Sequence, residues 1–275
     1  FKYVNNNKAT PDIDTISNLT ISLKDWLIDS VSAKDKSRFY LLKDAYVYLN
    51  NYTYATPDSM YYIKASEFEF SASAKKLNIK EFALEPRYSE QEFARVNGYA
   101  RDRYSLQLNN IDFQGINLFA YIKNREVLAD EMKIANGTLS VFNDNSYPKL
   151  LKDKTGKFPH QLFQKINIPI TIKKINLNEL DISYAEFDKE SRQRGRISFN
   201  STSGVITNVT NQLKYKKKNP IIEANLQSYL MEQGKLNVGF KFNVMAPKAD
   251  FSYQGQLLNM DARQLNYVTR PLAML

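Results

Sequence analysis

Paired carboxylates and one histidine are the residue types in this 275-residue chain that could support acid–base or metal chemistry. The carboxylate pairs are Asp12/Asp14, Glu67/Glu69 and Asp188/Glu190. Glu67 and Glu69 alternate with two phenylalanines, which predicts that both carboxylates lie on the polar face of a β-strand. Acid–base catalysis needs a carboxyl group whose pKa is shifted by burial. Glu67 and Glu69 therefore predict a solvated sheet face rather than a catalytic centre.

The single histidine, His160, lacks the spacing that marks a metal or nucleophilic site. It follows Pro159 without an HExxH-type neighbour, and the chain contains no cysteine that could share a metal with it. Gly98, Gly115 and Gly137 are isolated in the sequence and do not form a phosphate-binding loop. We expect His160 to be a plain loop or surface residue. We also expect no metal, no cofactor and no enzymatic activity.

The net charge of +9 indicates either an anionic partner or a well-solvated surface. The densest basic cluster is Lys214, Lys216, Lys217 and Lys218, and it is the predicted patch for an anionic partner. Tyr215 interleaves with these lysines as in stacking platforms for nucleic acid, but no RRM, OB-fold or zinc-finger signature accompanies it. We expect a basic hairpin tip here and no nucleic-acid partner.

Short runs in which apolar and polar residues alternate recur along the whole chain and predict roughly a dozen strands. Turn signals, rather than long helices, separate these runs, which favours a mainly β fold with one long antiparallel sheet. Short helices are predicted over 89–98, 118–128 and 261–268. The first begins with Ser89 and Glu92, which have the spacing of a capping box.

The Pro-, Gly- and Lys-containing stretch 143–159 is the most natural internal boundary. It divides the chain into an N-terminal segment, 1–145, and a C-terminal segment, 146–275. One continuous sheet through both segments is equally compatible with the pattern.

The apolar members of the alternating runs are the candidate binding residues, because alternation places them together on one face of the sheet. They are Phe68, Phe70, Leu106, Leu108, Ile111, Phe113, Leu236, Val238, Phe240, Phe242, Phe251 and Tyr253. An open face could hold acyl chains, at about 0.8 kcal/mol per buried methylene. A face sealed as an ordinary core would have the same pattern, so both alternatives stay open.

Five segments, in this order, resemble the AsmA-like family of bacterial envelope proteins, in its Bacteroidota branch, which is related to TamB-like proteins. They are 77–122, 128–144 (LADEMKIANGTLSVFND), 158–187, 195–211 (GRISFNSTSGVITNVTN) and 234–275. The last segment is similar to the C-terminal module of that family. Together the five segments cover most of the chain from about residue 10 onward.

The resemblance implies a curved sheet that forms an open, taco-like groove lined with apolar residues. It implies a periplasmic, non-enzymatic protein that binds or conducts phospholipid or another acyl lipid between membranes, in contact with membranes or with outer-membrane assembly proteins. The alternative is a structural or interaction module of an outer-membrane assembly complex without lipid cargo. Members carry an N-terminal membrane helix, and no apolar run here approaches the roughly 18 residues of a membrane span. We therefore expect any anchor to lie outside this chain.

Overall fold

Among the residues that the structure describes, alternating apolar and polar residues form twelve consecutive strands of a single sheet. The computed structural model describes residues 2–5, 12–35, 38, 42–149, 159–246 and 250–273. The strands are β1 (Lys2–Asn5), β2 (Asp12–Lys24), β3 (Asp44–Ala55), β4 (Tyr61–Ser71), β5 (Lys76–Pro86), β6 (Arg103–Gln114), β7 (Val127–Asp144), β8 (Ile170–Phe187), β9 (Arg194–Thr210), β10 (Ile221–Leu230), β11 (Gly234–Asn243) and β12 (Phe251–Leu258). The predicted fold class, mainly β with one long open sheet, is confirmed.

Strand order in the sheet follows the order along the chain, from β1 at one edge to β12 at the other. Neighbouring strands are antiparallel except β7 and β8, which run parallel from Val127↔Ile170 to Asp144↔Phe187. A parallel pair needs a long crossover connection, and the segment between these strands supplies it. The expectation of a purely antiparallel sheet is therefore wrong at this one pair. Backbone hydrogen bonds between β7 and β8 join the strands on either side of the expected domain boundary at 143–159 into the same sheet.

Left-handed residues kink several strands along a line across the sheet. Asn18, Glu67, Asn110, Glu179 and Ser201 have φ between 45° and 52°, in β2, β4, β6, β8 and β9 respectively. Such a residue bends a strand and interrupts its alternation. Lys80, which lies across from the kink in β4, and the adjacent Glu81 are both exposed, so alternation breaks there too. The kinks form a crease that curves the sheet.

In the described part of the chain, five short α-helices connect strands or follow the last one: α1 (Glu90–Asn97), α2 (Leu118–Asn124), α3 (Pro159–Gln164), α4 (Leu213–Lys216) and α5 (Asn266–Ala273). The predicted helix at 89–98 is confirmed, with a complete capping box between Ser89 and Glu92. The second predicted helix ends at Asn124 rather than 128, because Arg125 adopts a left-handed cap and β7 begins at Val127. The third comprises a 3₁₀ turn, Ala262–Leu265, followed by α5.

The helices lie at the two rims formed by the strand ends. At one rim, Phe93 of α1 packs on Met60 and Tyr61 and forms a fully buried apolar cluster. A Cβ at Gly195 in β9 would meet Leu272 of α5, so α5 lies close against the sheet at the same rim. Helices α2, α3 and α4 lie at the other rim, called the basic rim below. No helix among the described residues is long and apolar enough to cross a membrane.

Candidate functional site

Cross-strand pairing joins the apolar residues of successive strands into continuous ladders. Paired residues on neighbouring strands project from the same face of a sheet. The first ladder runs through Ile21, Val47, Phe70, Leu77, Phe113, Met132, Ile175, Ile206, Ala224, Phe240 and Tyr253. The second runs through Leu19, Leu49, Phe68, Ile79, Ile111, Ile134, Leu177, Gly204, Leu226, Val238 and Gly255. No polar side chain interrupts either ladder from β2 to β12.

Two further ladders lie beyond the crease. The third contains Ala65, Phe82, Leu108, Gly137 and Leu180, and the fourth contains Leu84, Leu106, Leu139, Ile182, Phe199 and Leu230. Second- and third-ladder residues of one strand are three positions apart, as in Ile111 and Leu108. A regular strand would place them on opposite faces, but the left-handed Asn110 between them restores a common face. All four ladders together are called the apolar face below.

The structure brings most of the twelve predicted groove residues into these ladders. Phe70, Phe113, Phe240 and Tyr253 belong to the first ladder, Phe68, Ile111 and Val238 to the second, Leu108 to the third and Leu106 to the fourth. Leu236 pairs with Leu257, and Phe242 pairs with Phe251 beside the first ladder. Sequence reasoning left out Ile79, Ile134, Ile175, Leu177 and Leu226. Their signal is the partner they share across the sheet, which one run of sequence does not contain.

The solvent exposure of the twelve predicted groove residues differs from strand to strand. Phe70 and Ile111 are buried at 5% and 3% exposure, while Tyr253 in the edge strand β12 is 70% exposed. Phe251 is also exposed, and the other eight are half-buried. Half-buried side chains across the middle of a sheet are typical of a face that its own helices do not cover. The buried members lie near the centre of the sheet and the exposed ones at its edge.

An aromatic cluster lies on the apolar face next to the basic rim. The rings of Phe240 and Phe242 stack at 5.6 Å, and Phe242 lies 6.0 Å from Phe251. His160 of α3 stacks on Phe242 with ring centroids 4.8 Å apart, and it is only 8% exposed. The expectation that His160 is a loop or surface residue is therefore wrong. Its imidazole serves as a flat packing surface in a helix that Pro159 can begin.

Two depressions along the sheet are lined by polar side chains together with residues of the ladders. One depression of about 890 Å³ is bounded by residues 203–205, 225–227, 237–239 and 254–256, with Val238 as the one predicted groove residue among them. A second, of about 330 Å³, is lined by Gln107, Asn109 and Asn136 together with polar residues of β8 and β9. Asn and Gln side chains can form hydrogen bonds with a polar ligand or with water here, and no aromatic ring of a described residue lines either depression. The first depression includes the second-ladder residues Gly204, Leu226, Val238 and Gly255, so it is not separate from the apolar face.

The predicted basic patch lies in α4 and the turn after it, rather than at a plain hairpin tip. Lys214 Nζ lies 2.6 Å from Glu126 Oε1, and this hydrogen bond raises the pKa of Lys214 above its usual value. Lys216 Nζ donates to Gln164 Oε1 at 2.9 Å. Lys217 and Lys218 are exposed, and neither forms an ion pair with a described residue.

Titratable groups are perturbed at scattered positions rather than at one centre. Burial raises the pKa of Tyr104, beside the α1 cluster, to about 12. A hydrogen bond from Asn176 lowers the pKa of Glu131 in β7, with Lys174 acting in the same direction. Glu67 and Glu69 are exposed, as predicted, and contact Lys80 and the Tyr46 hydroxyl respectively. Within the described ranges, no three acidic or histidine side chains are grouped to hold a metal ion.

No family model and no curated protein matches the chain in sequence.

Proposed function

We propose that this chain is a non-enzymatic, periplasmic lipid-handling protein whose apolar face binds or conducts acyl lipids between membranes. The observation that carries the proposal is the pair of uninterrupted apolar ladders from β2 to β12, with most of their predicted members half-buried. The periplasmic location rests on the resemblance to AsmA-like proteins alone.

The physical basis is the continuity of the ladders. At about 4.8 Å per strand, eleven strands make an apolar path of roughly 50 Å. An acyl chain on this path would replace water at about 0.8 kcal/mol per buried methylene. Because the ladders contain no charged residue, a chain could slide from one strand to the next without a desolvation barrier. Phosphate headgroups would remain at the rims, where lysines are available.

Thiol labelling tests the proposal sharply, because the chain contains no native cysteine. Val238→Cys places one thiol on the second ladder, and Asn237→Cys places one on the polar face of the same strand. We expect a bulky maleimide to label both variants without lipid. A dispersed short-chain phosphatidylcholine should slow labelling of Val238→Cys several-fold and leave Asn237→Cys unchanged. An unreactive Val238→Cys thiol in native protein would identify a sealed core instead.

Charge substitution gives an independent readout of the same face. Val238→Asp should remove phospholipid that co-purifies with the protein, as seen by native mass spectrometry, with circular dichroism and cooperative melting retained. Asn237→Asp serves as the matched control and should keep the lipid. Loss of the fold in Val238→Asp, with no lipid found on the native protein, would contradict a lipid groove.

The exposed edge of β12 favours a second candidate function, docking in an envelope assembly without lipid cargo. All eight residues of β12 are exposed, and the strand pairs only with β11 among the described strands. An unpaired edge strand is a template for strand addition by a partner. Solubilised outer-membrane proteins should then slow amide exchange in β12 selectively. Unchanged exchange in β12, together with bound lipid, would leave lipid handling as the function.

A further inference from the structure

Exposed apolar side chains outside the strands concentrate at the basic rim. Six of them lie in the loop after β2, in α2, and in the neighbouring segments before β8 and in α4. They are Trp26, Ile28, Phe119, Ile122, Ile168 and Leu213. Their exposure ranges from 43% for Ile122 to 77% for Ile28. At the opposite rim, the exposed large apolar side chains outside the described strands are Val96 and Tyr267. The two rims of one sheet therefore differ sharply in apolar surface.

The loop after β2 holds its apolar side chains outward by means of polar contacts on its inner side. Asp29 Oδ1 accepts hydrogen bonds from the backbone N–H groups of Val31 and Ser32 at 2.8 and 2.6 Å. The Ser32 hydroxyl donates to the Leu27 carbonyl at 2.9 Å, and Ser32 is buried while Val31 is 78% exposed. A water-facing loop normally has the reverse arrangement.

The three segments around α2, α3 and α4 form one continuous surface. Lys214 of α4 bonds Glu126 directly after α2, and Lys216 bonds Gln164 of α3. Asn211 Nδ2 donates to the Ile166 and Ile168 carbonyls at 3.0 and 2.9 Å, which fixes the turn between α3 and β8. A shallow depression of about 350 Å³ lies among these segments.

This surface is strongly basic as well as apolar. Residues 118–126, 159–169 and 211–219 contain one acidic residue, Glu126, and these Lys and Arg residues: Lys123, Arg125, Lys165, Lys214, Lys216, Lys217 and Lys218. Three of the cations lie over aromatic rings: Lys123 is 5.6 Å from the Phe119 centroid, Arg125 is 5.8 Å from that of Tyr121, and Lys214 is 5.0 Å from that of Tyr215. Cations beside exposed aromatic rings are suited to the boundary between headgroups and acyl chains.

We propose that the basic rim docks on the surface of an anionic lipid bilayer. The lysines would contact lipid phosphates, and Trp26, Ile28, Phe119 and Ile168 would enter the outer acyl region. Binding to a nucleic-acid backbone would use the lysines but would leave the exposed aliphatic side chains in water. The proposal uses residues separate from the apolar face and does not require that the face carry lipid. It goes beyond the proposed function by placing one rim, rather than one end, against the membrane.

Trp26 provides a native reporter because it is the only tryptophan of the chain. Titration with phosphatidylcholine vesicles containing phosphatidylglycerol should shift its emission to the blue, and brominated acyl chains should quench it. Vesicles of pure phosphatidylcholine should bind at least about tenfold more weakly, and added salt should weaken binding further. No shift with anionic vesicles would overturn the proposal.

A matched pair of charge variants tests which rim is responsible. Lys217→Glu/Lys218→Glu should weaken vesicle binding by about tenfold or more. Lys189→Glu/Lys235→Glu changes the net charge equally at the opposite rim and should bind as the native protein does. Equal losses in both variants, or binding to a DNA duplex but not to vesicles, would contradict bilayer docking. Val238→Asp should still dock, which separates failure of the groove from failure of the rim.

Discussion

Gly137 shows how closely the third ladder packs between β6 and β8. A Cβ at this position would lie 2.5 Å from the Gln107 carbonyl oxygen and 2.9 Å from Leu108 Cδ2. Gly137→Ala should therefore lower the free energy of unfolding by about 1–3 kcal/mol, the usual range for overpacking. Urea denaturation followed by circular dichroism measures the change.

Gly239 is the matched control for Gly137, because it is also a glycine within a strand. Its added Cβ would meet Asn225 Oδ1 at 3.2 Å, the end of a side chain that can rotate away. Gly239→Ala should change stability much less than Gly137→Ala. Similar losses in the two variants would mean that the close contact with the Gln107 carbonyl does not set the cost, since the entropy change of Gly→Ala by itself raises stability.

At the scale of elements, the sequence predicted the positions of the strands and of the α1 cap well. It predicted poorly the bends in the strands and how distant strands pair. Alternation located the strands, and the Ser89/Glu92 spacing located α1, because both signals are local. The crease was missed because one left-handed residue within an alternating run, such as Asn110, shifts the alternation without ending the strand, so no break in the pattern marks it. The parallel pairing of β7 and β8 depends on contacts across a long connection. His160 was misplaced because its packing partner, Phe242, lies far along the chain.

The crease depends on residues that tolerate a left-handed backbone, and Asn110 tests this. Asn110→Val should destabilise the sheet by roughly 1–2 kcal/mol, since a β-branched residue is strained at φ 51°. Asn110→Gly should keep or raise stability, because glycine adopts this conformation freely. Urea unfolding compares the two variants. If valine were accepted at no cost, the kink would not be a fixed feature of β6.

At the scale of the whole molecule, the ladders and the rims run parallel to each other. The ladders run across the strands, from the β2 edge to the β12 edge, and the rims follow the ends of the same strands. A bilayer on the basic rim would therefore lie along the length of the apolar face. Acyl chains could then reach the apolar face past the strand ends over much of that length. An end-on arrangement would instead admit them only at an edge strand.

An open sheet of consecutive strands should lose protection from its edges inward, because local unfolding begins where a strand has one neighbour. β8 and β9 lie in the interior and share the buried Thr171–Thr210 hydroxyl contact at 2.7 Å. β12 is exposed along its whole length. Hydrogen exchange measured by mass spectrometry should therefore show β12 exchanging at least tenfold faster than β8. Equal protection of the two strands would mean that something covers the β12 edge in solution.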